Sequence, residues 1–257
     1  MSRHVLVTGS AGRIGRAVVA ELTARGHTVV GFDLKPTPGL PDAANIVGSL
    51  TDASLLAKAV AGVDCLIHLA ATPDDSHFPP TADNNFETEL LPANILGGYR
   101  VMHAARAAGI PKVILASTGQ VIDGHLDDRN IPVVASAAYR PRYLYACTKV
   151  FLEMLGRVYA EQHGLAVLAV RLGWCPRDAK QVAEIAADPE VQDVYLSPGD
   201  AGRFFAAAVE SDAAKWRKWS AVYVTSRPRG PQLYDLSPAA ELVGWTPTEQ
   251  WPTGADG

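Results

Sequence analysis

The chain has 257 residues and a formal net charge of −4, and 48% of its residues are hydrophobic. This length predicts one domain, or one domain with a small appendage, and a full apolar core. The weakly acidic balance argues against nucleic acid as a partner. No apolar run approaches the roughly 20 residues that cross a bilayer. No signal peptide precedes the first predicted strand, and the three cysteines are scattered without metal-ligand spacing. These features predict a cytoplasmic protein without a metal or a membrane partner.

Predicted strands and helices alternate over the first two-thirds of the chain. Apolar runs predict six strands, at residues 5–7, 28–32, 45–47, 64–69, 112–117 and 166–171. The main helices are predicted at 14–25, 53–60, 86–108 and 143–163, with loops at 73–83 and 121–142. On the third helix one predicted face carries Leu91, Ile95, Tyr99, Met102 and Ala105. The alternation favours an α/β fold with a doubly wound parallel sheet.

The carboxyl-terminal third is less regular. Helices are predicted at 178–187, 200–210 and 238–243, and one more strand at 221–225. The tail at 253–257 offers nothing to bury and is predicted to be disordered.

Three glycines lie between the first predicted strand and helix, in the segment TGSAGRIG (8–15). Gly9 permits a tight turn, Gly12 leaves room for a pyrophosphate at backbone N–H groups, and Gly15 lets the helix pack close to the sheet. Asp33 ends the second predicted strand, 18 residues past Gly15. This context predicts a Rossmann fold with a dinucleotide at the amino-terminal end of the helix. The alternative is a plain strand–turn–helix in an unliganded protein.

A second motif lies on the predicted helix at 143–163. Tyr145 and Lys149 are four residues apart and therefore share one helix face. A tyrosine is a poor base at neutral pH, but a nearby cation stabilises its phenolate and lowers the phenol pKa. Thr118, after the fifth predicted strand, adds a hydroxyl that could bind a reacting oxygen. A pair of this kind on a helix surface can also arise by chance.

The combined motifs resemble those of the extended short-chain dehydrogenase/reductases, the NAD-dependent epimerase/dehydratase type. The matching segments are TGSAGRIG (8–15), Asp33, HLAA (68–71), NILGGYRVMHAARAAG (94–109), VILASTGQV (113–121), YACTK (145–149) and RLG (171–173). Within this group the chain looks most similar to the uronate dehydrogenases, which oxidise the anomeric carbon of a hexuronate to a lactone with NAD. That likeness rests on length, on the Ala-Ser-Thr strand end, and on YACTK and RLGWC.

The resemblance implies a set of catalytic roles. Tyr145 would be the acid/base for the substrate hydroxyl, and Lys149 would bind the nicotinamide ribose and lower the Tyr145 pKa. Thr118 would take the serine/threonine role, with Ser117 as the fallback. Asn94 matches an asparagine that holds a water in a proton relay. The alternative for Asn94 is a helix asparagine bonded to a neighbouring backbone carbonyl.

The resemblance also implies NAD as the cofactor. The implied contacts are Gly9, Gly12, Arg13, Ile14, Gly15, Asp33, Ser49, Leu50, Leu69, Ala70, Ala71, Ala116, Tyr145, Lys149 and Leu172. A carboxylate at Asp33 accepts from both ribose hydroxyls and repels a 2′-phosphate. Arg13 is a counter-signal because it could reach a phosphate, and a solvated side chain is the preferred interpretation. Ser49 replaces an aspartate that the family often has.

The substrate side matches the family less well. Its implied residues are Ser117, Gly119, Gln120, Trp174 and Arg177. Gly119 and Gln120 stand where uronate dehydrogenases carry Asn-His, and Trp174 stands where they carry serine. Trp174 suits a sugar-stacking pocket or the core equally. Arg177 is a carboxylate-binding candidate by position only, so the cofactor half transfers better than the substrate half.

The leading hypothesis is therefore an NAD-dependent oxidoreductase that moves a hydride between nicotinamide and a carbinol carbon of a sugar, sugar acid or related hydroxy compound. One alternative is a nucleotide-sugar epimerase or dehydratase with bound NAD, although only about 85 residues follow the sixth strand. Another is a non-catalytic NAD-sensing protein. The resemblance further implies a dinucleotide-binding domain at 1–173 with a small substrate-binding region at 174–257 packed on it. Members of the family often form a homodimer through the helices equivalent to those at 86–108 and 143–163; the apolar stripe on the first helix fits that dimer and equally fits a sheet contact within a monomer.

Overall fold

The computed structural model describes residues 2–73 and 85–255. The strands are β1 (His4–Thr8), β2 (Thr28–Asp33), β3 (Asn45–Val47), β4 (Cys65–His68), β5 (Lys112–Thr118), β6 (Ala166–Leu172) and β7 (Trp219–Val224). The α-helices are α1 (Arg13–Ala24), α2 (Ala53–Ala59), α3 (Gly98–Ala107), α4 (Leu144–His163), α5 (Ala179–Ala187), α6 (Pro189–Gln192), α7 (Pro198–Glu210) and α8 (Ser237–Val243). Most of the predicted loop at 73–83 lies outside the described residues.

The seven strands form one parallel sheet in the order β3-β2-β1-β4-β5-β6-β7. This arrangement confirms the predicted doubly wound α/β fold. The strand order reverses direction between β1 and β4, and ligands of such sheets bind in the crevice at that point, past the carboxyl ends of the strands. β7 comes from the carboxyl-terminal third of the chain and extends the same sheet beside β6.

Both faces of the sheet are covered by helices, as an apolar parallel sheet requires. On one face α1 and α7 pack against the sheet, with Leu22 and Phe205 fully buried. On the other face α2, α3 and α4 cover a second apolar layer that includes Met102 and Leu152. In the described parts of the chain, no helix combines the length and the apolar character that a membrane span needs.

The predicted helix at 86–108 has a different winding from the one expected. A π-helix (Phe86–Gly97) runs directly into α3, and the N–H of Leu90 donates to the carbonyl of Asn85, five residues earlier. The wider turns accommodate Pro92, which lacks an N–H and would clash with a preceding carbonyl in an α-helix. The changed winding splits the predicted apolar face, because Leu91 and Tyr99 are exposed whereas Met102 and Ala105 are fully buried.

The predicted disorder of the tail is wrong for residues 253–255. The Arg13 guanidinium donates to the carbonyls of Gly254 and Ala255, at 2.9 Å each. The Tyr195 hydroxyl donates to the carbonyl of Thr253, and Ala255 packs beside Tyr195 and Trp251. These contacts come from residues distant in sequence, so composition alone did not reveal them. Residues 256 and 257 lie outside the described part.

Candidate active site

The glycine loop follows β1 at the carboxyl edge of the sheet. Gly9 has a φ of +73°, and a Cβ there would lie 2.6 Å from the backbone nitrogen of Ala70. A Cβ on Gly15 would lie 2.1 Å from the carbonyl oxygen of Gly9, so this glycine brings α1 close to the loop rather than to the sheet. A Cβ on Gly12 would meet a single atom within 4 Å, at 3.3 Å. The fold thus requires Gly9 and Gly15, whereas Gly12 leaves space at the start of α1.

Asp33 is fixed against this loop. One carboxylate oxygen accepts from the N–H of Ala11 at 3.0 Å, and the other lies 3.4 Å from the N–H of Lys35. The side chain is partly exposed at the carboxyl end of β2. A carboxylate held here, beside the amino-terminal end of α1, is placed to accept hydrogen bonds from a ribose.

Other implied cofactor contacts surround the same edge. Ser49 and Leu50 follow β3, and Leu69, Ala70 and Ala71 follow β4. Ile14 lies in the first turn of α1, while Ala116 and Leu172 are buried near the carboxyl ends of β5 and β6.

The interpretation of Arg13 as a solvated side chain is wrong. Its guanidinium is engaged by the tail carbonyls described above and also contacts the thiol of Cys175. Burial raises the Cys175 pKa to about 11, and the positive charge of Arg13 opposes that shift. Arg13 therefore joins the glycine loop to the segment after β6 and to the carboxyl-terminal tail.

Tyr145 and Lys149 lie on one face of α4, with the Lys149 Nζ 5.5 Å from the centroid of the Tyr145 ring. Lys149 is 3% exposed and donates to the carbonyl of Ala116 at 2.9 Å. Burial lowers the Lys149 pKa to about 8, and Glu153 opposes this change. Burial raises the Tyr145 pKa to about 12, and the cation that opposes this shift is Arg177 rather than Lys149. In the free protein the phenol is therefore protonated at neutral pH.

The two adjacent hydroxyls that end β5 have different surroundings. Thr118 is partly exposed, and its Oγ1 accepts from the N–H of Gln120 at 3.3 Å. Ser117 is 3% exposed, and its hydroxyl donates to Glu153 Oε1 at 2.5 Å. Successive strand residues point to opposite faces, which explains the contrast. Two roles were expected of Ser117: the alternative to Thr118 in catalysis, and a substrate contact. The structure contradicts both, because the Ser117 hydroxyl is buried and bonded to Glu153.

Asn94 is buried in the π-helix and bonds to the segment after β4. Its amide accepts from the N–H of Thr72 at 2.8 Å and donates to the carbonyl of the same residue at 2.9 Å. A longer bond of 3.2 Å runs to the hydroxyl of Thr148, which itself donates to the carbonyl of Tyr145. This geometry matches the alternative in which Asn94 bonds to neighbouring backbone; the water-relay role stays a prediction.

The structure brings only some of the implied substrate-binding residues close to Tyr145. A Cβ on Gly119 would lie 2.8 Å from the Tyr234 hydroxyl, so that position has no room for a side chain. Gln120 is partly buried in the 3₁₀-helix Gly119–Val121. Arg177 is exposed, and its charge reaches the Tyr145 phenol.

Trp174 packs against the apolar cluster of Ile185, Tyr195 and Trp251. Its indole N–H also donates to Gln181 Oε1, at 3.3 Å. The indole is partly buried, and these contacts fit the core alternative considered for it; the sugar-stacking role stays a prediction.

A buried ion pair behind Tyr145 and Lys149 was missed at the sequence level. Arg171 on β6 donates from Nε and Nη2 to the two carboxylate oxygens of Glu153, each at 3.0 Å. Glu153 is fully buried and Arg171 is 2% exposed. The sequence did carry a signal, since Glu153 is one further helical turn of four residues beyond Lys149. Arg171 lies in the quoted RLG segment, where no role was given to it.

The site fits a dinucleotide. The open side of Gly12 lies where the first N–H groups of α1 and the helix dipole favour a phosphate. The carboxylate of Asp33 and the Tyr145–Lys149 pair belong to the same carboxyl edge of the sheet. Among the described residues, no group of three or more His, Cys, Asp or Glu side chains is arranged to hold a metal ion.

Comparison with known proteins agrees with this assignment. The family model for the NAD dependent epimerase/dehydratase family matches residues 5–174. The L-arabinose 1-dehydrogenase (NAD(P)(+)) of Haloferax volcanii is 35% identical over 224 residues, which cover 81% of this chain and 83% of that protein. A uronate dehydrogenase of Agrobacterium fabrum is 32% identical over 174 residues, or 67% of this chain and 62% of that enzyme.

The fold comparison leads to the same group. The crystal structure of glucuronic acid dehydrogenase from Chromohalobacter salexigens superposes with a TM-score of 0.75 at 26% identity, over 98% of this chain and 87% of that chain. Fold and site thus define an NAD-dependent oxidoreductase of the extended short-chain dehydrogenase/reductase type. The chain belongs to the NAD-dependent epimerase/dehydratase family.

Proposed function

We propose that this protein oxidises a carbinol carbon of a sugar or sugar acid with NAD. The observation that carries the proposal is the Tyr145–Lys149 pair on one face of α4, with the Lys149 Nζ 5.5 Å from the centroid of the Tyr145 ring, at the same carboxyl edge of the sheet as the glycine loop. The names of the similar enzymes, which concern an aldose and uronates, support the same class of substrate.

The reaction follows from what each side chain can do. Bound NAD supplies the hydride acceptor. Tyr145 removes the proton of the substrate hydroxyl, so its pKa of about 12 must fall on complex formation. The charge of Arg177 favours the phenolate in the free protein, and a protonated Lys149, whose Nζ lies 5.5 Å from the centroid of the Tyr145 ring, would favour it further. Lys149, which donates to the Ala116 carbonyl in the free protein, would bind the nicotinamide ribose, and the Thr118 hydroxyl would donate to the reacting oxygen.

Arg177 is the proposed determinant for a sugar acid. Its guanidinium is exposed near the phenol, where it can form a bidentate pair with a substrate carboxylate. The test is an assay of NADH formation with matched aldoses and uronates, on wild type and on Arg177→Gln. A rise in KM of about tenfold or more for uronates, with aldoses unaffected, is expected. An equal loss on neutral aldoses would contradict this role.

The same assay tests the proposed reaction itself. Net NADH formation with at least one sugar or sugar acid is expected. Absence of NADH formation with every compound, together with NAD retained through purification, would instead favour an epimerase or dehydratase cycle. No turnover of any kind, with NAD binding kept, would favour the sensing alternative.

Asp33 is the proposed determinant of preference for NAD over NADP. Its carboxylate already lies beside the Ala11 N–H, and a 2′-phosphate in the same place would meet a like charge. Asp33→Asn keeps the oxygen that accepts from Ala11 and removes the charge. For wild type we expect kcat/KM to be higher with NAD than with NADP. In this variant the value with NAD divided by the value with NADP should fall about tenfold, and an unchanged ratio would contradict the role.

A homodimer is proposed through the helices at 86–107 and 144–163. Their outer surface exposes large apolar side chains: Leu91, Leu96, Tyr99, Phe151 and Val158. Phe151→Glu should shift equilibrium sedimentation from dimer to monomer, since a charge would be buried at the interface. Val134→Glu is the matched control, because Val134 is an exposed apolar residue outside these helices. A wild-type monomer would overturn this proposal.

A cytoplasmic location is also proposed. None of the three cysteines is in a disulfide, which is compatible with a reducing compartment. Fractionation of the producing cells with an antibody to the protein tests it.

A further inference from the structure

Glu153 continues the line of polar groups that Tyr145 and Lys149 begin on α4. The three residues are spaced by four, so their side chains follow one another along one helix face. Lys149 contacts the site at one end of this line, whereas Glu153 lies beneath it and is fully buried. An ionised carboxylate one turn from a buried ammonium stabilises the charged form of that ammonium.

The carboxylate of Glu153 is held by four donors from three other parts of the chain. Arg171 on β6 supplies a bidentate pair, and the Ser117 hydroxyl donates from β5 at 2.5 Å. The hydroxyl of Tyr139 donates from the segment before α4 at 2.8 Å. Such a set of donors fixes the position of the carboxylate, because each of its two oxygens accepts two hydrogen bonds.

Arg171 is itself fixed on every side. Besides Glu153 it donates to the carbonyl of Ala135 and to the hydroxyl of Tyr223. Its guanidinium also lies over the rings of Tyr139 and Tyr223, at 5.4 and 5.3 Å from their centroids. The pair therefore ties β6 and the segment before α4 to the helix that carries Tyr145 and Lys149.

Among the described residues that face Lys149, Glu153 supplies the negative charge, and the other neighbouring groups are neutral. From α4 itself the ring of Tyr145 and the carboxylate of Glu153 are near. From β5 the neutral carbonyl of Ala116 accepts a hydrogen bond from the Lys149 ammonium. From β4 comes His68, which is buried, bonded to Thr8 and uncharged, since burial and Lys149 lower its pKa to about 3.

We infer that Glu153 is a positioning residue of the active site: held by Arg171, Ser117 and Tyr139 one helical turn beyond Lys149, it keeps Lys149 charged beside Tyr145. This inference rests on the proposed function for its catalytic consequence. Burial lowers the Lys149 pKa and Glu153 opposes that effect. Without Glu153 the opposition is lost, so the ammonium loses its proton at a lower pH. The phenolate of Tyr145 then loses a stabilising charge.

The direct test is an NMR titration of ¹³C-labelled lysine, which reports protonation without any substrate. The protein has seven lysines, and Lys149→Arg identifies the Lys149 signal. In Glu153→Gln we expect the titration midpoint of Lys149 to fall by about one pH unit. Lys112, at the opposite end of β5, is also buried with a pKa of about 8 and serves as the internal reference.

Two matched controls separate charge from packing. Ser117→Ala and Tyr139→Phe each remove one hydrogen bond to the same carboxylate but leave its charge. The Lys149 midpoint should stay within a few tenths of a pH unit of wild type in both. A fall in these variants equal to that in Glu153→Gln would overturn the inference, as would an unchanged midpoint in folded Glu153→Gln.

A second variant covers the case in which Glu153→Gln fails to fold because Arg171 is left without a counter-charge. Glu153→Gln with Arg171→Met removes the whole pair, a change that buried ion pairs often tolerate. The same fall of the Lys149 midpoint is expected there. The alkaline limb of the kcat profile should move with it in active protein. If no substrate is oxidised at all, the proposed function fails while the titration still decides the role of Glu153.

Discussion

The two halves of the sheet organise their polar groups differently. After β1 the glycine loop is held by its own backbone donors: the N–H of Gly9 donates to the carbonyl of Phe32, and the N–H of Ala11 donates to the carboxylate of Asp33. Around β5 and β6 the structure uses side chains, as in the bonds of Ser117 and Arg171 to Glu153. The cofactor half is therefore sensitive to added volume, whereas the catalytic half is sensitive to the loss of a particular partner.

The largest expected effect is on the catalytic half. Tyr145→Phe removes the hydroxyl that exchanges a proton with the substrate and leaves the ring in place. We expect kcat to fall about 10²- to 10⁴-fold, since that is the usual contribution of a positioned acid or base. NAD affinity, measured by calorimetry, should stay within a few fold. Turnover near that of wild type on a confirmed substrate would remove Tyr145 from the mechanism.

Replacing Asp200, near the amino-terminal end of α7, should lower the stability of the protein. Its buried carboxylate accepts from the hydroxyl and N–H of Thr248, the N–H of Glu249, the hydroxyl of Ser226 and the guanidinium of Arg203. Asp200→Ala leaves these donors unpaired, so the free energy of unfolding should fall by about 3 kcal/mol. Urea denaturation measures it, and a loss under about 0.5 kcal/mol would contradict a dependence on particular partners.

The loss of unfolding free energy in Asp200→Ala should also depend on pH. Burial alone raises the Asp200 pKa, but hydrogen bonds from Thr248, Arg203 and Ser226 outweigh it and lower the pKa below its usual value. A lowered pKa in the folded state means that the stabilisation is fully present above about pH 4, the unfolded value, and fades as the pH falls through the folded value. The gap between wild type and Asp200→Ala should therefore be constant from pH 5 to 8 and narrow in stronger acid.

In the cofactor half, two glycines of one loop should respond differently. Gly15→Ala places a Cβ 2.1 Å from a backbone oxygen, and we expect it to lower the free energy of unfolding by about 2 kcal/mol. Gly12→Ala meets a single atom at 3.3 Å, so stability should change little while NAD affinity falls. Thermal denaturation with and without NAD checks both. Equal destabilisation by Gly15→Ala and Gly12→Ala would show that the space around each glycine does not decide the effect of an added Cβ.

The smallest expected effect concerns the link between the halves. Arg13→Gln shortens the side chain that donates to the carbonyls of Gly254 and Ala255, and about 1 kcal/mol of stability should be lost. Limited proteolysis should then cut the tail faster, with Arg16→Gln, on the same helix, as the control. Unchanged cleavage of Arg13→Gln would mean that Tyr195 and Trp251 hold the tail without Arg13.

The success of sequence analysis follows the same division. The glycine loop, Asp33 and the sheet were predictable because they depend on local spacing and on the period of apolar residues. Partners that meet across the fold were not: Glu153 with Arg171, and Arg13 with the tail, are separated by 18 and more than 240 residues. The winding of the helix at Pro92 was also missed, since the apolar spacing over 86–108 predicted a regular helix and gave no sign of a π-helix. The catalytic roles of Thr118, Asn94, Tyr145 and Lys149 stay predictions.

The burial of Ala255 has a practical consequence for how the protein is handled. Gly257 is two positions beyond Ala255, which is 2% exposed and packs in a cluster that also holds Trp174. A purification tag fused behind Gly257 therefore begins two residues after Ala255, whose carbonyl accepts from Arg13 of the glycine loop, and added chain there can disturb this contact. Ser2 is exposed and β1 begins at the opposite edge of the sheet, so an amino-terminal tag is the safer choice for ligand screening.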